Sequence, residues 1–201
     1  MFRPSRSLPA LLAAVAVMLG GTLSLALAGD GQRHHRGDGH SWHGHGHGHK
    51  SCSWKHVSGL DERWLTVHIQ TNLFEIAGGQ AALDRAVTAE ARDLAAHLVR
   101  DHSGALAEAQ AVAEKLGIAI PDRPAPLQEW SLRAVAQFEG IAFDRWFADL
   151  QVAGHQQAIV EASFEAKRGC NAKVRKLAVA SLPVLQAHLE HAEAVLAGLS
   201  D

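Results

Sequence analysis

The stretch that decides the fold is "NAKVRKLAVASLPVLQAHLEHAEAVLAGL", residues 171–199. Val174, Ala178, Ser181, Leu185, His188, Ala192, Val195 and Leu199 recur in it at alternating steps of four and three. That repeat draws one stripe along a helix and is the seam of a helix packed lengthwise on others. Asn171 stands where an N-cap belongs. Pro183 removes the hydrogen bond to the Val179 carbonyl and predicts a kink. Two seam positions are polar, Ser181 and His188, and of these only His188 offers a metal-ligating ring.

Upstream, from Leu60 onward, the chain is rich in Ala, Leu, Val, Glu and Arg, shows no strand-like alternation and contains no tyrosine. Its punctuation predicts three more long helices. The first spans about Asp61 to Ala86, with Ser58 as its N-cap. The second spans about Ala89 to Leu116, capped by Thr88 and closed by Gly117. "IAIPDRPAP" (118–126) is a loop, because closely spaced prolines cannot continue a helix. A short helix follows from about Leu127 to Phe138, then a third long one from about Ile141 to Arg168, ended by Gly169. Four such helices, each about 40 Å long, must bury their stripes on one another, so the fold class is an all-α four-helix bundle. Gly78-Gly79, inside the first helix, should each cost ~1 kcal/mol relative to Ala; close packing against a neighbouring helix accounts for them.

His188 has counterparts on the other helices. Glu75 sits on the inner stripe of the first helix. Asp101 and His102 cross the centre of the second. His155 lies beside the stripe of the third, with Asp144 three turns earlier on the same side. Counted from the helix ends, Glu75, His102, His155 and His188 fall within about six residues, some 9 Å of axial height, whether the bundle is up-down or contains a crossover. One carboxylate and three imidazoles at one depth suit copper, zinc, iron or nickel, with Asp101 and Asp144 as candidate supporting acids. A buried polar network that binds no metal is the competing account. The ferritin-type pattern of Glu-x-x-His on two helices is matched neither by "RDH" (100–102) nor by "HLEH" (188–191), which argues against ferroxidase chemistry. Nucleophile elbow, phosphate loop and dinucleotide motifs do not occur, so no catalytic residue is assigned.

The remaining 57 residues have a different character. Arg3 and Arg6, the apolar run Ala10–Leu27 and "ALA" at 26–28 predict a secretory signal over 1–28. The run approaches the ~20 residues of a membrane span, but the cleavage site favours removal, leaving no stable membrane span. Removing two of the 19 basic residues against 21 acids changes the net charge from -2 to -4, unsuited to nucleic acid. Residues 29–57 form a Gly/His-rich arm that cannot bury a core, and the bundle occupies 58–201. In "DGHSWHGHGHGHK" (38–50), His43, His45, His47 and His49 alternate with glycine. Such repeats wrap Ni²⁺, Cu²⁺ or Zn²⁺, with affinity falling as the rings protonate; a solvated linker and a pH-responsive tether are the alternatives. Cys52 and Cys170, the two cysteines, lie too far apart to read as a disulfide framework.

The order and spacing of "NLFEIAGGQAAL" (72–83), "AAHLVRDHSGAL" (95–106), "LGIAIP" (116–121), "FDRWFADLQVAGHQQAI" (143–159) and "SLPVLQAHLEHA" (181–192) resemble the domain of unknown function 4142 family. The resemblance covers about residues 60–198. It implies an exported, ferritin-like bundle with a crossover before the third long helix; members are often labelled outer-membrane proteins. Carried onto this chain, its motif positions are Asp101, His102, Phe143, Asp144, His155, Pro183 and His188, with Glu75 matching the acid of the first helix. The family supplies no reaction, and the His-rich arm lies outside its pattern. The implied crossover also brings the turn after Arg168 to the end where the first helix starts, so a Cys52–Cys170 disulfide is expected. The resulting expectation is a periplasmic bundle that binds or buffers divalent metal and serves metal or stress tolerance in the envelope. A redox enzyme with a core metal and a metal-free interaction protein are the alternatives.

Overall fold

The structure, a computed structural model, describes Cys52 and residues 56–199. Five helices account for almost all of them: α1 (Gly59–Arg85), α2 (Ala89–Leu116), α3 (Pro126–Val135), α4 (Gly140–Arg168) and α5 (Ala172–Gly198). No strand occurs among the described residues. The caps are those the side chains dictate. Ser58 Oγ accepts the Asp61 N–H at 3.2 Å while the Asp61 carboxylate accepts the Ser58 N–H at 2.7 Å, a capping box. Thr88 caps α2, whose end turns at Gly117 with φ 67°. Asn171 caps α5, which continues through Pro183. The short helix ends three residues before its expected limit at Phe138. There the Arg85 guanidinium takes the carbonyls of Ala136 and Phe138 (2.9 and 3.0 Å), and Gly140 turns with φ 60°.

Two buried aspartates fix the topology. Asp144, in the first turns of α4, accepts the backbone N–H groups of Val87 and Thr88 (2.8 Å to Thr88) and the Thr88 hydroxyl (2.7 Å). The start of α4 therefore lies at the α1–α2 turn, and the connection through α3 is a crossover. At the other end Asp61 accepts the N–H groups of Cys170 and Asn171, both at 2.9 Å. A disulfide joins Cys52 to Cys170 at this same end, with Cα atoms 5.1 Å apart. Glu165 is wholly buried beside Asp61. Burial would raise the Asp61 pKa, but hydrogen bonds from Ser58 and Asn171 outweigh it and hold it below the usual value. Burial and the neighbouring Asp61 push Glu165 up to about 8, so Glu165 is the protonated member of the pair.

α1 packs on α2 and α4, and α5 on α4 and α2, giving the four-helix bundle expected from the seam in residues 171–199. Gly79 lets α1 approach α2 closely: a Cβ there would lie 2.7 Å from Val99 Cγ2 and 3.1 Å from the Ala95 carbonyl. At Gly78 the neighbour is Leu132 of α3, 3.3 Å from a Cβ. On the last turn of α1 Leu83 is exposed and its neighbour Ala82 lies in the core.

The apolar core is not continuous. One cluster near the α1–α2 turn contains Leu94, Leu98, Phe143, Phe147 and Val195. Another near the disulfide contains Leu65, Ile69, Val174, Ala178 and Leu185. Buried polar side chains at intermediate positions along the same helices separate them: Asn72, Glu75, His102, Gln151, His155 and His188.

Candidate metal centre

His102 of α2, His155 of α4 and His188 of α5 meet in this polar belt. Their ring centroids lie 5.2–5.7 Å apart, and one ring nitrogen from each falls within 4.8 Å of the others. The three residues are 1–5% exposed, so little water is available to them.

Hydrogen bonds fix which nitrogen faces inward. His155 Nδ1 lies 2.9 Å from the Gln151 carbonyl, which only accepts, so Nδ1 carries the proton. His188 Nε2 lies 3.0 Å from Asp101 Oδ2 and donates to it. His102 Nδ1 lies 2.8 Å from Asn72 Oδ1. The Asn72 amide is oriented by its own donation to the His68 carbonyl (2.8 Å), so its oxygen faces the ring and Nδ1 donates. His102 Nε2, His155 Nε2 and His188 Nδ1 remain, and all three are buried without a hydrogen-bond partner.

Electrostatics keeps these nitrogens unprotonated. Burial lowers His155 to about 4. Burial, reinforced by the two neighbouring imidazoles, takes His102 well below its ordinary value. Burial also lowers His188, although the bond to Asp101 opposes it. Asp101 is held at about 2, first by its hydrogen bond from Arg100 (2.7 Å) and then by His188. Three neutral imidazoles thus direct lone pairs at one region, with the outer nitrogen of each secured by an acceptor. That is the arrangement of metal-ligating histidines and their supporting groups.

The other expected site residues divide. Asp101 supports His188 from the adjacent helix. Glu75 is buried in the belt, and burial pushes it up to about 8 against a hydrogen bond from Gln151. It lies outside the group whose ligand atoms fall within 4.8 Å of one another, which is His102, His155 and His188. Asn72, one turn earlier on α1, occupies the place facing His102. Asp144 is placed away from the imidazoles, at the end of the bundle. It lies three turns from His155 and serves the α1–α2 turn, where its oxygens take backbone and hydroxyl donors. His43, His45, His47 and His49 lie outside the described residues.

Sequence reasoning passed over Asn72 because an amide carries no charge and is not a common ligand. Its signal was the i, i+3 spacing to Glu75 within "NLFE". A cleft of about 380 Å³ reaches the belt from the surface between α2 and α5, lined by His68, Asn72, Asp101, His102, Ser181 and Leu185. His68 stacks on Trp64 at 4.6 Å. Among the described residues, no helix is long and apolar enough to cross a membrane.

Comparison with solved structures shows the fold alone. A DUF305 fragment from Deinococcus radiodurans superposes with a TM-score of 0.63 at 15% identity, covering 71% of this chain and 98% of its own. A DUF305 protein from Streptomyces coelicolor, for which secretion has been suggested, gives a TM-score of 0.57 at 14% identity, covering 70% and 90%. No curated protein matches the chain. The family described as domain of unknown function DUF4142 matches residues 49–195, most of the chain. The first four helices, the crossover, the quoted motifs and all but the last turn of α5 fall within that match, and the chain belongs to the DUF4142 family.

Proposed function

We propose that this protein binds a transition-metal ion at His102, His155 and His188 and acts as a metal-buffering protein of the bacterial periplasm. The observation that carries the reading is the set of three buried ring nitrogens, neutral, mutually close and without hydrogen-bond partners. Buried polar atoms are normally satisfied, and a cation satisfies all three at once. Imidazole ligands suit copper, zinc, nickel or iron. The charge of Asp101 reaches the site through His188, and the cleft beside His102 offers a way in. The arm histidines His43, His45, His47 and His49 collect metal from solution and raise its concentration near the bundle. The periplasmic setting rests on the signal-like leader.

The test is elemental analysis of the full chain and of a variant with the eight histidines of residues 29–57 replaced by serine. Each is exposed to limiting Cu²⁺, Zn²⁺, Ni²⁺ or Fe²⁺ and then washed with a competing chelator. The expected result is about one ion per chain retained by the arm variant, and its loss on His155→Ala. Retention that disappears with the arm would overturn the reading and make the belt a structural polar network.

A further inference from the structure

A second group of ligating side chains lies outside the belt. Asp93 and His97 are one turn apart on α2 and share a face. His191 of α5 meets them across the interface between the two helices. Asp93 Oδ2 lies 3.6 Å from His97 Nδ1 and 3.6 Å from His191 Nε2. The two rings meet edge-on with centroids 5.3 Å apart, and one ligand atom from each of the three residues falls within 4.8 Å of the others. Unlike the belt, this group faces solvent: the Asp93 side chain is 65% exposed, His97 37% and His191 27%.

We infer that Asp93, His97 and His191 form a second metal site, an exposed two-imidazole, one-carboxylate site for a borderline divalent ion such as Cu²⁺, Zn²⁺ or Ni²⁺. The spacing carries the argument. At 3.6 Å neither imidazole is hydrogen-bonded to the carboxylate. A tetrahedral ion with bonds near 2.05 Å holds its ligands about 3.4 Å apart. The two measured separations need to shorten by only a few tenths of an ångström, within the freedom of half-exposed side chains. Two nitrogens and one oxygen match borderline metals rather than the hard cations, which take oxygen donors. Remaining coordination positions face water, so an ion here exchanges readily, whereas one in the belt is enclosed. The site stands whether or not the core imidazoles hold metal.

The experiment uses full-length chain with the arm histidines His34, His35, His40, His43, His45, His47, His49 and His56 replaced by serine, titrated with Cu²⁺ without a chelator wash and followed by electron paramagnetic resonance. The expected result in a further His155→Ala background is one bound Cu²⁺ with the coupling pattern of two nitrogen ligands. Adding His97→Ala or His191→Ala should weaken it by at least the roughly 10–100-fold that loss of even an outer-shell partner costs. Circular dichroism of each variant checks that the helices persist. Absence of bound Cu²⁺ in the His155→Ala background, or a signal unchanged by both surface substitutions, would overturn the inference. Failure of the core reading has a different mark: no three-nitrogen signal in the arm-silenced protein carrying His97→Ala and His191→Ala together.

Discussion

Asn72 and His102 are coupled across the α1–α2 interface: the amide gives its N–H to the His68 carbonyl and turns its oxygen to the His102 ring, 2.8 Å away. This neutral residue sets the tautomer of a candidate ligand. Asn72→Ala should leave His102 buried but free to rotate, and core metal affinity should fall roughly 10–100-fold. Competition with a chromophoric chelator in the arm-silenced protein measures it. Asn72→Asp, which keeps the acceptor, should retain much of the affinity.

Asp144 accepts three donors from Val87 and Thr88 at the α1–α2 turn. Asp144→Ala leaves those groups without their acceptor and should cost roughly 3 kcal/mol in urea unfolding, with no change in the metal bound per folded chain. A change in metal binding comparable to that of His155→Ala would return Asp144 to the site.

The Asp61–Glu165 pair makes stability depend on pH from both sides. Glu165 titrates near 8 in the fold, against an ordinary 4.5. The unfolded chain therefore releases its proton first, and stability falls as pH rises from about 4.5 to about 8. Asp61 is shifted down, so its contribution is present above its ordinary pKa and is lost as pH falls through the lowered one. Glu165→Gln puts a side chain of the same shape beside Asp61 that stays neutral at every pH. It should flatten the decline between pH 4.5 and 8 in thermal melts and raise the melting temperature most at the alkaline end.

Two glycines give an opposed pair. Gly79→Ala drives a Cβ to within 2.7 Å of Val99 and should destabilise the bundle. Gly104 has nothing within 4 Å of a Cβ, so Gly104→Ala should stabilise α2 by up to about 1 kcal/mol. Equal effects in denaturant titrations would remove the close-approach account of Gly79.

The disulfide closes 118 residues of chain. Replacing Cys52 and Cys170 by serine should lower stability by about 5 kcal/mol on loop-closure grounds, leaving the imidazole cluster intact. An unchanged unfolding midpoint would show that the crosslink adds nothing at equilibrium.

Much of this was legible in the chain. Helix limits came from Ser58, Thr88, Gly117 and Asn171, because caps satisfy backbone groups locally. His188 announced the belt because a 3–4 repeat assigns inward positions without reference to partners. Residues acting between helices were harder to place. Asp144 shares a face with His155, but periodicity gives direction and not height, and the donors at Val87 and Thr88 claimed it. Glu75 and Asn72 differ by three positions on one face, so spacing alone could not tell which meets His102. The surface trio escaped for a related reason: its members belong to two helices and to no apolar stripe.

The division of the core into two apolar clusters bears on how anything enters it. Each end is fastened, one by Asp144 and the other by Asp61 and the Cys52–Cys170 crosslink, while the belt between them holds polar rings and is approached by a cleft. Local opening follows the distribution of buried apolar contact. At the waist polar rings stand where the clusters on either side have apolar contact, so a small separation of α2 from α5 there would expose the imidazoles at little apolar cost, with both fastened ends kept.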